Sequence, residues 1–165
     1  KGLDNTMLIY GKAEYYKLTK DLDIPYIPLN TSEPNKELYE KFKNQIPLLS
    51  EFYHSEYDCD RHLVRDIVAY IDTDPYYQTD EAYEKINECL HCIKDSSEKM
   101  KVRWSEYLLQ IAIDVQIAWN AGTLVGAGRG SGVGFCLLNI LGITQINPLR
   151  EKTKTYPWRS TLKAS

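Results

Sequence analysis

Apolar residues recur at helical spacing along most of the chain. Leu38, Phe42 and Ile46 fall at i, i+4 and i+8 and predict a helix that Pro47 ends or kinks. Pro25, Pro28, Asn30-Thr31-Ser32 and Pro34 form a breaker-rich connector ahead of it. Leu63, Val64, Ile67, Val68 and Ile71 mark one face of a helix beginning near Asp60, and Asp72-Thr73-Asp74-Pro75 reads as a turn. Thr79 or Asp80 can cap a further helix carrying Ala82, Ile86, Cys89, Leu90 and Ile93 on one stripe. Ser96-Ser97-Glu98 reads as another helix start. It leads to the longest periodic pattern: Trp104, Leu108, Ile111, Val115, Ala118 and Trp119, closed by Asn120-Ala121-Gly122. Thr123-Leu124-Val125 is a short strand candidate. After a glycine-rich run, Phe135 to Leu141 predicts an apolar helix, interrupted by Asn139 and stopped by Gly142. The expected fold is α+β and mostly helical.

Glycine changes this picture. The 165 residues include nine glycines; none falls between Gly11 and Gly122, and six lie from Gly122 to Gly134. A strand, the run Gly126-Ala-Gly-Arg-Gly-Ser-Gly-Val-Gly134 and a helix start together suit a phosphate. Glycines let backbone N–H groups approach an anion without a β-carbon, and a helix start adds free donors. Arg129 brings a permanent bidentate charge and Ser131 a hydroxyl at the expected N-cap. The common glycine fingerprints do not apply. A dinucleotide pattern fails because Ser131, Val133 or Phe135 stands at i+5, and a Walker loop fails because no lysine occurs between 102 and 151. The competing explanation is a tight helix start where glycine serves only close packing.

Charge follows the same division. The net charge of −3 splits into −8 over residues 1–114 and +5 over residues 115–165, so the glycine-bearing end favours a polyanionic partner. No apolar run reaches the length of a membrane span and no signal peptide opens the chain, so the expected location is cytoplasmic, without membrane partners. Four cysteines (59, 89, 92, 136) are then expected as reduced thiols. Cys89-Leu-His-Cys92 has the spacing of half a zinc site but no second pair, and Cys89 lies on an apolar stripe, so core packing is expected and no metal site is assigned. Tyr53 to Arg61 reads as a polar turn; His54 and His62 flank Asp58 and Asp60 there, and no catalysis is assigned to them. Lys1 in place of Met, and no closing element at Ser165, are what a piece of a longer chain would show.

The run Val125–Gly134, followed by Leu141-Gly-Ile-Thr144 and Ile146-Asn-Pro-Leu149, resembles the palm segment of the bacterial DNA polymerase III alpha subunit, the C family of replicative DNA polymerases. Ser97–Leu109 and Leu149–Tyr156 resemble its phage and prophage branch, and Asn5–Tyr10 resembles the last helix of its PHP domain. The likeness is specific from about 96 to 158 and loose before about 60. It implies three parts: residues 1–30 as the tail of a PHP-like region, 31–95 as a helical connector, and 96–165 as the first part of a nucleotidyltransferase-like palm with its glycine loop at 126–134. It also implies that Gly128, Arg129, Gly130, Ser131 and Gly132 lie against the triphosphate of an incoming deoxynucleotide, with Arg159 as a second phosphate contact. Lys152, Lys154 and Lys163 would add weak attraction to nucleic acid, or serve only as solvated surface charge.

The resemblance further implies Mg²⁺-dependent nucleotidyl transfer, with primer-template DNA, the rest of the polymerase and other replisome subunits as partners. This sequence departs from the pattern at Ala127, where proline is usual. It also lacks the family's Phe-Leu-Asn-Pro run, its Asp-x-Asp carboxylates and the PHP metal histidines, and holds no aspartate after Asp114. The implied role is a nucleotide-cradling half-site without the catalytic residues, inactive alone. The alternative is a non-catalytic helical module that binds a nucleotide or phosphorylated partner, or packs in an assembly.

Overall fold

The first helix of the structure, a computed structural model describing residues 32–151, begins at Asn35. Its side-chain oxygen accepts from the N–H groups of Glu37 and Leu38, starting α1 (Lys36–Phe42). Residues 1–31 and 152–165, including the expected PHP-like tail, Lys152, Lys154, Arg159 and Lys163, lie outside the described residues.

The helix expected to continue to Pro47 stops at Phe42. Ile46 is nevertheless fully buried, and Pro47 opens α2 (Leu48–Tyr53) rather than only ending α1. Proline has no N–H to lose in a first turn, and its fixed φ suits a helix start. The exposed donor at Leu48 N is taken by Asn87 Oδ1 at 3.0 Å. α3 (Asp58–Thr73) buries the predicted stripe of Leu63, Val64, Ile67, Val68 and Ile71 completely. Asp74 then caps a 3-10 turn, Pro75–Tyr77, whose last residue is fully buried.

α4 (Asp80–Met100) is capped as predicted, with Thr79 Oγ1 accepting from Ala82 N at 3.2 Å, and buries Ala82, Ile86, Cys89, Leu90 and Ile93. α5 (Trp104–Asn120) and the short α6 (Cys136–Ile140) complete the element order. α3 packs on α1, α2, α5 and α6, and α4 on α2, α5 and α6, so one apolar core is shared by all six. The four cysteines are buried thiols that form no disulfide, with Cys89 and Cys92 in the core as expected. Burial pushes the Cys59 thiol up to about 11 and the Cys89 thiol well above its ordinary value, keeping both protonated.

Three expectations are corrected. No strand occurs among the described residues: Thr123–Val125 is irregular, with no ladder partner, and an isolated extended segment cannot satisfy its backbone by pairing. The described chain is helical rather than α+β. Ser96-Ser97-Glu98 does not start a helix, because α4 runs through it until Lys101 adopts a left-handed φ of 55°. Ser97 still serves the next helix, accepting from Trp104 N at 3.1 Å while donating to Ile93 O at 2.7 Å. The long stripe of α5 is buried only in its first turns, at Leu108 and Leu109; Trp119 and Ile117 at its far end are 38% and 60% exposed. Its periodicity is real, but the neighbouring helices cover only the first half.

Asp60 is a carboxylate in this core, 3% exposed. Its two oxygens accept from Ser105 Oγ and Ser55 Oγ, both at 2.6 Å, and Arg103 Nη1 lies 3.6 Å away, its guanidinium stacked 3.4 Å from the Tyr57 ring. It joins the start of α3 to the start of α5. Replacing Asp60→Ala strands the buried Ser105 hydroxyl and should lower unfolding free energy by about 2–3 kcal/mol. Denaturant unfolding of the two chains measures this, with Asp60→Asn expected to recover part of the loss.

Candidate functional site

The glycine loop begins where α5 ends. Ala127 O accepts from Gln145 N at 2.8 Å, pinning the loop to the segment that follows α6. Gly128 then adopts φ +132°, and a β-carbon there would sit 2.8 Å from Val133 Cγ1 and 3.2 Å from Cβ and Cγ2 of Thr144. Conformation and space both demand glycine. Arg129 is extended (φ −151°, ψ 149°) and exposed, and pairs with no carboxylate among the described residues. Gly130, at φ +71°, opens a 3-10 turn over Gly130–Gly134. The local result is an extended arginine held between two left-handed glycines.

Two details differ from expectation. Ser131 is an exposed residue inside the 3-10 turn, while Arg129 occupies the N-cap position. The helix beyond the turn, α6, has five residues, too few to supply the cumulative dipole of a long helix. Electrostatic attraction at this loop therefore falls to the Arg129 guanidinium and to individual backbone N–H groups. Gly132 is less constrained, since a β-carbon there would meet only Leu138 Cδ1 at 3.4 Å.

The loop is held from behind by a buried polar network. Asn139 on α6, 7% exposed, accepts at Oδ1 from Tyr77 OH (2.9 Å) and Tyr70 OH (3.4 Å), and donates from Nδ2 to Thr144 O (3.1 Å). Burial holds both phenols above their ordinary pKa, so they remain O–H donors. Gly142 stops α6 as predicted, and the N–H groups of Ile143 and Thr144 turn back onto Leu138 O. Asn147 caps the next turn through the N–H groups of Leu149 and Arg150, and its amide reaches Asp74 Oδ2 at 3.4 Å. Thr144, Asn139 and Gln145 were not singled out as site residues from the sequence; the polar interruption at Asn139 in an apolar helix was the available signal.

Of the sequence-predicted residues, Gly128, Arg129, Gly130, Ser131 and Gly132 are thus brought together on one loop, while Arg159, Lys152 and Lys154 fall outside the described residues. The loop offers guanidinium, hydroxyl and backbone N–H groups, which suit an anion rather than a cation. No cluster of three His, Cys, Asp or Glu side chains able to hold a metal occurs among the described residues, and no carboxylate lies between Asp114 and Glu151. The residues present do not fit the divalent ion the resemblance implies. Open clefts lie elsewhere, among them one of about 630 Å³ beside Tyr39, Tyr53 and Lys43 and one of about 310 Å³ beside Asp60 and Arg103, and neither of these is lined by the glycine loop. No described helix is long and apolar enough to cross a membrane.

The structure thus shows a glycine loop pinned in a helical scaffold, and comparison with known proteins gives the family. Residues 58–156 match the model of the bacterial DNA polymerase III alpha NTPase domain, and the chain belongs to that family. It is 29% identical over 163 residues to the probable DNA polymerase YorL of Bacillus subtilis strain 168 and, equally, to the DNA-directed DNA polymerase of Bacillus phage SPbeta. Each alignment covers 91% of this chain and 12% of the relative. No solved structure gives a significant match.

The geometry at Gly128 makes a local prediction. Gly128→Ala forces an unfavourable φ and a clash with Val133, and should cost about 2–3 kcal/mol of stability or displace the loop from Thr144. Gly126→Ala, at ordinary φ in open space, should stay within about 0.5 kcal/mol. Paired denaturation curves of the two variants distinguish a built loop from a loose one.

Proposed function

We propose that the loop Gly126–Gly134 holds the triphosphate of an incoming deoxynucleotide, and that this chain is the nucleotide-positioning part of a template-directed DNA polymerase. The observation that carries the reading is Arg129 itself: exposed, with no ion pair among the described residues, and set by the left-handed glycines on either side of it. A guanidinium pays little desolvation at such a position and can take two phosphate oxygens at once. Backbone N–H groups of Gly128, Gly130 and Gly132 and the Ser131 hydroxyl supply neutral donors beside it. Arg159 adds a second phosphate contact, and Lys152, Lys154 and Lys163 add non-specific attraction to primer-template DNA. The names of the matched relatives, both DNA polymerases, support this reading.

Phosphoryl-transfer chemistry in such an enzyme is metal-assisted, and the carboxylates for it are not among these residues. In this reading the chain's share of the reaction is to bind and orient the nucleotide. Its partners are the nucleotide, primer-template DNA, the remainder of the polymerase and the replisome subunits around it, in the cytoplasm. The exposed apolar end of α5, with Ile113, Ile117 and Trp119, and Leu124 beyond it at 94% exposure, favours a second reading as an assembly module. Nucleotide binding separates the two. Titration with deoxyadenosine triphosphate should give saturable binding that Arg129→Ala weakens by about 10- to 100-fold. Unchanged affinity in that variant would overturn the triphosphate role, and no binding by the parent chain would favour the module.

A further inference from the structure

Four buried side-chain polar atoms lack a hydrogen-bond partner among the described residues: Ser96 Oγ, Trp104 Nε1, Gln110 Oε1 and Thr144 Oγ1. The first three belong to α4 and α5; Thr144 alone packs against the glycine loop, its Cβ and Cγ2 facing Gly128. Thr144 is 7% exposed, and its backbone is fully engaged, N–H to Leu138 O and C=O from Asn139 Nδ2. Its position is therefore fixed while its hydroxyl goes unused. Valine has the same shape and would fill the space against Gly128 without burying an unpaired hydroxyl.

A planar peptide explains what the hydroxyl could serve. N–H and C=O of one peptide unit point in opposite directions. A loop peptide that turns its N–H outward to an anion turns the carbonyl of the preceding residue inward; for the Arg129 N–H that carbonyl belongs to Gly128, against which Thr144 packs. We infer that Thr144 is a positioning residue whose hydroxyl donates to a backbone carbonyl of the glycine loop when triphosphate is bound, locking the peptide orientation that presents N–H groups to the phosphates. Left-handed glycines at 128 and 130 make the required reorientation accessible. This inference rests on the triphosphate reading of the loop.

The test uses the 165-residue chain with deoxyadenosine triphosphate and inorganic triphosphate as probes, and reads the thermal midpoint without ligand alongside affinity. Thr144→Val should leave the midpoint unchanged or higher and weaken binding of both probes by about five- to tenfold, because only the bound loop uses the hydroxyl. Thr144→Ser, which keeps the hydroxyl and loses the methyl, should lower the midpoint and hold affinity within about twofold. Opposite movement of stability and affinity in Thr144→Val is the signature that a purely structural threonine would not give. If Thr144→Val binds like the parent while Arg129→Ala is weakened, the inference is overturned and the triphosphate reading survives. A lower midpoint in Thr144→Val also overturns it, since the hydroxyl would then be engaged in the free chain. If Arg129→Ala too binds like the parent, the reading of the loop fails and takes this inference with it.

Discussion

Asn139 is the constraint on which the glycine loop depends. A five-residue helix such as α6 has almost no stability of its own, since nucleation costs more than so few hydrogen bonds return. Its apolar residues, Cys136, Leu137 and Ile140, bury it against α3 and α4, but apolar burial is non-directional and does not fix rotation or depth. The amide does. With two phenols on its oxygen and the Thr144 carbonyl on its nitrogen, Asn139 permits one placement of α6 and of the turn after it. A half-made network of this kind would be worse than none, which is why each of these partners matters.

From that anchor the geometry propagates outward in short steps. Thr144, fixed through its backbone, presses on Gly128; Gln145, its neighbour, holds Ala127. Those two contacts fix the backbone just ahead of Arg129, whose side chain is exposed, and the 3-10 turn returns the chain through Val133 to the buried Phe135. The glycines and the exposed Arg129 belong to one local geometry, and the helices α1 to α4 form its support.

Helices and their buried faces were legible because period and burial share one cause. Leu63 to Ile71 and Ala82 to Ile93 alternate at helical spacing since one face of each must leave water. Caps were readable where they are local, as at Thr79, and misread where they are tertiary: Ser97 serves Trp104 across a helix break that only Lys101's left-handed turn reveals. Asp60 shares a stripe with Leu63, Val64 and Ile67, so a carboxylate facing inward could have been noticed. Its two serine partners, five and forty-five residues away, could not. The strand at Thr123–Val125 was misread because strand propensity is only an offer to pair, and the offer finds no taker among the described residues. At the site, Gly128 through Gly132 stood out by composition, whereas Thr144 carries its weight through contacts alone.

The family match spans the residues on which this geometry depends. It begins at Asp58, the first residue of α3, far upstream of the glycine run. Without α3 there is no Tyr70, without the 3-10 turn no Tyr77, and without α4 no surface for Cys136, whose sulfur lies 3.2 Å from that of Cys89. Remove any of these and Asn139 loses a partner or α6 its seat. α1 and α2, which precede the match, pack on α3 and α4 but donate nothing to the network. The loop's geometry is therefore a property of the stretch from α3 to Asn147, and a glycine motif transplanted without that stretch would keep its residues and lose its shape.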